Sequence, residues 1–303
     1  MKRTKLSRMA RREEIEGWLL ISPWLIGICI FLVVPMILSI YVSFTKYDYV
    51  SPPEFIGLDN YVRALTADPK FWISLKITFL FTLMSLPLNF LLSFGVALLL
   101  NFRGAGLKIF RTIFYLPSIL PPVAVSILWL WIFNPKYGML NQIIGWFGIK
   151  GPGWLFDPKW ALFALVVMSM WGFGQGMIVY LAGLQNINTE YYDAAKVDGA
   201  GPFRIFTKIT IPLMSPVIFF NIVMGIIGSF QVFAQAFIMT GGGPVNSTLF
   251  YMLYLYQNSF KFYKAGYASA LGWLLFVIIA FFSLLVVRSS SAWVYYEGDI
   301  KGR

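Results

Sequence analysis

Two glycine runs, Gly104-Ala-Gly106 and Gly241-Gly-Gly-Pro244, have the residue type that lets backbone N–H groups wrap a phosphate. Neither carries the Lys-Ser/Thr pair that completes a phosphate-binding loop. The chain has 13 carboxylates and no histidine, with no H-E-x-x-H run, no G-x-S-x-G run and no close pair of acids on a rigid element. The single cysteine, Cys29, sits in an apolar run and reads as a small apolar side chain. No catalytic or metal-binding constellation is expected, so any energy for work must come from a partner. What remains are uncharged polar groups inside apolar runs, suited to hydrogen bonding, and one charged segment between two of those runs.

These groups are positioned by a chain that is 58% hydrophobic and 12% charged, with a mean hydropathy of +0.72. A soluble domain cannot hide that much apolar surface, and the expected class is an all-α membrane protein. About 20 apolar residues cross a hydrocarbon core. Six runs qualify: 19–44, 73–100, 112–133, 160–184, 213–240 and 265–287. The first follows a basic stretch but has too long an apolar core and no small-residue cleavage site, so it reads as a retained span, not a secretory signal.

Orientation follows from the 24 Lys and Arg residues. With the N-terminus in the cytoplasm, 15 lie inside (Lys2, Arg3, Lys5, Arg8, Arg11, Arg12, Arg103, Lys108, Arg111, Lys196, Arg204, Lys208, Arg288, Lys301, Arg303) and nine elsewhere. Six spans then put both termini in the cytoplasm. The net charge of +11 reports topology rather than nucleic-acid binding. The expected organisation is a basic N-terminus (1–17), a first span with its external loop (18–71), a core (72–288) and a C-terminal tail (289–303). A charged loop at 189–212 interrupts the core.

All 13 carboxylates fall outside the six runs. Ion-coupled transporters usually hold a titratable or anionic ligand at membrane depth, and spans bare of one, together with the charged docking segment between them, disfavour a secondary transporter or facilitator. Placing Glu190, Asp193, Lys196, Asp198, Arg204 and Lys208 at the bilayer centre would cost on the order of 15–20 kcal/mol. Residues 190–211 therefore stay in the cytoplasm. Thr189 can cap a helix there, Gly199-Ala-Gly201 breaks it, and Pro202 suits the first turn of a second helix. Phe203, Phe206 and Ile209 fall at steps of three and are expected to form an exposed docking stripe.

The segment resembles the cytoplasmic coupling motif of type I ABC importer permeases: Glu-Ala-Ala, three residues, Gly, nine residues, Ile-x-Leu-Pro. Here it reads Asp193-Ala194-Ala195, three residues, Gly199, nine residues, Ile209-Thr210-Ile211-Pro212. Asp193 and Ile211 are conservative departures. Phe55-Ile-Gly-Leu-Asp-Asn-Tyr61, Leu116-Pro-Ser-Ile-Leu-Pro-Pro122, Asp198-Gly-Ala-Gly-Pro-Phe203 and Thr240-Gly-Gly-Gly-Pro244 are similar to the carbohydrate-uptake branch, and to the first of its two paired permeases. The resemblance implies the type I transmembrane domain and a short helix seated in a cleft of an ATPase subunit. Asp193, Ala194, Ala195, Asp198, Gly199, Ala200, Phe203, Phe206, Ile209 and Pro212 would make that coupling. The implied partners are a second permease forming a heterodimer, two ATPase subunits holding ATP and Mg, an extracytoplasmic sugar-binding protein and membrane lipid. No cofactor is expected on this chain, and the setting is a prokaryotic cell membrane.

A sugar needs hydrogen-bond partners and flat apolar faces near the midplane. The fourth run offers Trp171, Phe173 and Gln175 with small residues beside them. The fifth offers Asn221, Gly225, Gly228, Ser229, Gln231, Val232 and Gln235, of which Gly228, Ser229, Val232 and Gln235 share a helix face at steps of three and four. The resemblance to the maltose-type branch implies ligand positions at Ser169, Gly172, Phe173 and Gly176, and at Gly225, Gly228, Ser229 and Val232. Most of these side chains are small, which implies a wider cavity and a bulkier saccharide. The absence of charge in the spans favours a neutral one.

Overall fold

The computed structural model describes residues 8–102, 104 and 106–295. Lys2, Arg3, Lys5, Arg103, Lys301 and Arg303, counted among the flanking cations, lie outside them, as does Ala105 of the first glycine run. Four helices are long and apolar enough to cross a membrane, and two bent pairs raise the number to six if each pair is one span.

One compact unit comprises residues 8–66 with 258–273. Its long helix α1 (Arg12–Ser43) presents large apolar side chains outward, Phe31 and Leu20 among them, as a helix in lipid must. A π-helical turn at Cys29–Val33 ends two residues before Pro35, whose missing N–H removes one rung of the ladder. Beyond α1 the chain makes a two-stranded ribbon, β1 (Thr45–Lys46) against β2 (Glu54–Phe55), small enough to leave the all-α class intact. Buried Asn60 donates 2.9 Å hydrogen bonds to the Ser43 and Thr45 carbonyls and so fixes the ribbon's exit from α1. A Cβ at Gly266 would sit 1.9 Å from the Thr45 oxygen, so this approach requires glycine.

The second unit comprises residues 67–257 with 274–295. Helix α2 (Pro69–Leu100) is capped by Asp68, whose carboxylate accepts from Lys70 N and Phe71 N. Helices α3 (Leu107–Ile119) and α4 (Pro122–Ile132) meet at 96°. The run 112–133 is therefore not one straight span: Pro121 and Pro122 supply no N–H, and Leu120 before them is held extended. Helices α5 (Pro158–Met170) and α6 (Gly174–Asn186) bend by 44° at Trp171-Gly172-Phe173.

The helix α7 (Thr189–Val197) is capped by Asn188, which accepts from Glu190 N at 3.0 Å, and not by Thr189. Thr189 already lies inside the first turn. Helix α8 (Pro202–Met239) contains a π-helical turn at Phe206–Thr210, again just ahead of a proline, Pro212. It loses helical geometry at residues 231–233. Helix α9 (Ala265–Trp293) closes the described chain, and its Phe282 packs on Phe79 of α2 and Phe230 of α8.

The spans are not wholly free of charge. Lys76 lies within α2, seven residues from its start and exposed.

Candidate functional site

Helix α2 carries a polar stripe, Ser74, Thr78, Thr82, Ser85, Asn89 and Ser93, at helical steps of three and four. Its first half is structural: Ser74, Thr78 and Thr82 bond back to carbonyls of their own helix, and the Thr78 hydroxyl accepts from Tyr251 N at 2.9 Å. Its second half reaches the bend between α5 and α6. Asn89 donates to the Ser169 hydroxyl at 3.3 Å, and Ser93 donates to the Phe173 carbonyl at 2.9 Å. A helix bend in hydrocarbon leaves carbonyls that must find donors, and α2 supplies them.

Glycines bring these helices together. A Cβ at Gly174 would lie 2.3 Å from the Phe114 carbonyl oxygen, and one at Gly176 3.0 Å from the Ser93 hydroxyl. At Gly225 it would lie 2.3 Å from Leu86 Cδ1.

Between them lies a cavity of about 420 Å³. From α2 it receives Leu86, Asn89, Phe90 and Ser93; from the bend and α6, Gly172, Phe173, Gln175, Gly176, Val179 and Tyr180; from α8, Phe220, Asn221, Ile222, Met224 and Gly225. No Asp, Glu, Lys or Arg lines it. The Gln175 amide forms no hydrogen bond among the described residues. Amide and hydroxyl groups beside aromatic faces make a surface for polyhydroxylated rings.

Of the residues expected from sequence, Gly172, Phe173, Gln175, Gly176, Asn221 and Gly225 line this cavity. Ser169 stands behind it as the partner of Asn89. Trp171 turns to Trp129, 5.9 Å between centroids in an edge arrangement. Gly228 does not line it, and Ser229 is buried, donating to the Ile226 carbonyl. The shared face of Gly228, Ser229, Val232 and Gln235 does not form, because Gln231 ends the regular helix and Gln235 belongs to the short piece Ala234–Met239. Gln231, Val232 and Gln235 lie off the cavity. Asn89 and Ser93 are absent from the sequence expectation, although their four-residue step within the stripe on α2 is a readable signal.

The second candidate element is the elbow between α7 and α8. Asp193 and Ala194 are exposed on α7, and Asp193 pairs with Lys196 at 3.1 Å, a surface pair of little energetic weight. Asp198 is the C-cap. Gly199 has φ +74, Gly199 N bonds the Lys196 carbonyl and Ala200 N bonds the Ala195 carbonyl, the two crossed bonds of a Schellman stop. Gly201 then caps the start of α8, with Pro202 at its first position.

The expected exposed stripe is only partly present. Phe203 is 80% exposed. Phe206 packs inward on the core around Phe94, Tyr180 and Leu184, and Ile209 is half-buried. A step of three turns the side chain by about 60° around a regular helix, so Phe206 reaches the core while Phe203 stays in water, and burying the Phe206 ring gains more than leaving it exposed. Pro212 follows half-buried, and the Tyr192 hydroxyl meets that of Thr210 at 3.3 Å across the elbow.

Residues 89–295 match the family of binding-protein-dependent transport system inner membrane components. The chain belongs to that family. It is thus a multi-pass permease subunit of an ABC importer in a prokaryotic cell membrane. This permease is 43% identical over 297 residues to the probable ABC transporter permease protein YesP of Bacillus subtilis (strain 168), covering 97% of this chain and 96% of that one. It is 35% identical over 295 residues to the lactose transport system permease protein LacF of Rhizobium radiobacter, covering 94% and 97%. A bacterial ABC transporter involved in the import of the acidic polysaccharide alginate contains a chain of similar structure. The TM-score is 0.81 at 26% identity, over 94% of this permease and 99% of that chain.

Proposed function

We propose that this permease conducts a neutral saccharide through the cavity between α2, α6 and α8, driven by an ATPase seated against the α7–α8 elbow. The observation that carries the reading is the lining itself: Asn89, Ser93, Gln175 and Asn221 beside Phe90, Phe173, Tyr180 and Phe220, with no ionised group. Hydrogen-bonding amides serve sugar hydroxyls, and aromatic faces serve the apolar sides of a pyranose ring. The lactose permease similar to this chain makes a sugar the natural substrate class. The cavity volume of about 420 Å³ favours an oligosaccharide.

In this reading both termini are cytoplasmic, and the exposed Phe203, with Asp193 and Ala194, meets the ATPase. A second permease supplies the other half of the path, two ATPase subunits hold ATP and Mg, and an external binding protein delivers the sugar. The test is uptake of radiolabelled neutral and acidic oligosaccharides by cells carrying the complete importer. Uptake of a neutral sugar that stops on ATP depletion supports the account. Uptake that persists without the ATPase supports a facilitator instead, and preference for uronates overturns the neutral substrate.

A further inference from the structure

Lys76 is the only Lys, Arg, Asp or Glu within the six apolar runs. It sits about 10 Å along α2 from Pro69, at 1.5 Å per residue. The ion pairs among the described residues are Arg12–Glu16 and Lys196–Asp193, so Lys76 has no carboxylate partner there. It takes no part in the saccharide cavity. A lone cation at membrane depth is costly unless it finds an anion or reaches the interface.

Beside it runs a groove of about 450 Å³ between α2 and α9, formed by Trp72, Leu75, Phe79 and, from α9, Val277, Ile278, Phe281 and Phe282, with Lys76 contributing its stem. The groove wall is wholly apolar. Its rings are fixed by packing, Phe79 on Phe282 with centroids 5.8 Å apart and Phe281 edge-on to Phe282 at 5.5 Å. Trp72 is exposed at its rim, as interfacial tryptophans are. A wholly apolar trough with one unpaired cation at its edge matches a molecule with a hydrocarbon chain and an anionic head.

We propose that this groove holds an anionic phospholipid, an acyl chain lying along Phe79, Phe281 and Phe282 with the headgroup phosphate at the Lys76 ammonium. The proposal is independent of the saccharide reading, and orientation decides only which leaflet supplies the lipid. Charge complementarity favours a lipid over a neighbouring apolar helix, which would leave the ammonium buried without a partner.

The permease, in the assembly in which it is extracted, can be titrated with phosphatidylglycerol or phosphatidylethanolamine and followed by native mass spectrometry. The expected result is preferential retention of phosphatidylglycerol, weakened about fivefold in Lys76→Gln. Lys76→Arg should restore it, and Lys70→Gln should leave it unchanged. Three results would overturn the proposal: equal retention in Lys76→Gln, no preference over phosphatidylethanolamine, or equal competition by tail-free glycerol phosphate. Cross-linking of a residue-76 probe to another protein chain in place of lipid would do so too.

Discussion

The ring of Phe206, in the first turns of α8, lies 6.3 Å from that of Phe94 on α2, tilted by 34°. Phe94 in turn stacks on Phe90 at 5.6 Å and meets Tyr180 edge-on at 5.4 Å. Phe90 and Tyr180 line the cavity. A displacement of the elbow therefore reaches the cavity wall through packed rings, which transmit strain because close-packed interiors do not deform continuously.

Phe203 and Phe206 should separate by mutation, although their spacing places both on one stripe. Phe203→Ser removes a ring that is 80% exposed and should change stability by no more than about 0.5 kcal/mol while weakening capture of the ATPase. Phe206→Ser removes packing on Phe94 and should cost on the order of 2 kcal/mol. Thermal unfolding in detergent and pull-down of the ATPase subunit measure the two effects separately.

Gly199 adopts φ +74, and a Cβ there would meet nothing within 4 Å, so its requirement is conformational. Gly199→Val should cost roughly 1–2 kcal/mol locally and spoil the Schellman stop. Gly199→Asn, which tolerates the left-handed region, should retain most ATPase binding. The comparison is made by co-purification of the ATPase with each variant.

Gly174 and Gly225 both lie close to neighbours, yet their substitutions should differ. An alanine at 174 meets backbone, Phe114 O at 2.3 Å and Tyr115 Cα at 2.9 Å, whereas at 225 it meets only the end of Leu86. Gly174→Ala should destabilise by about 1–3 kcal/mol. Gly225→Ala should fold normally and reduce uptake of larger saccharides first, as the Leu86 side chain is pushed into the cavity. Yield, melting temperature and uptake against oligosaccharide length distinguish them.

Gln175 points an unengaged amide at the cavity, so Gln175→Leu should leave the fold intact and cut uptake about tenfold, the loss of one to two hydrogen bonds to substrate. Asn89→Leu should impair both, because Asn89 also donates to the Ser85 carbonyl and the Ser169 hydroxyl. Initial uptake rates set beside melting temperatures test the contrast.

Much of this arrangement is legible in the residues, and the exceptions have identifiable causes. Hydropathy marks the spans, and Gly199 and Pro202 mark the elbow, because both signals are local. Pro121 and Pro122 foreshadow the turn between α3 and α4, but its 96° angle depends on packing. Steps of three put Phe203 and Phe206 about 60° apart on a regular helix, and spacing alone does not show that Phe206 reaches Phe94 while Phe203 meets water. Periodicity fails again at Gln231, where the helix ends before Val232 and Gln235 can share a face. Half of the cavity's polar lining lies on α2, where Asn89 and Ser93 continue a stripe that serves packing at Ser74 and Thr78.

The most direct test of the central claim is the number of saccharide molecules imported per ATP hydrolysed by the reconstituted importer carrying Phe206→Leu. The account predicts that ATP hydrolysis continues while import per ATP falls severalfold, because the ring contact with Phe94 is lost. An unchanged ratio would contradict it, showing that force reaches the cavity by another route.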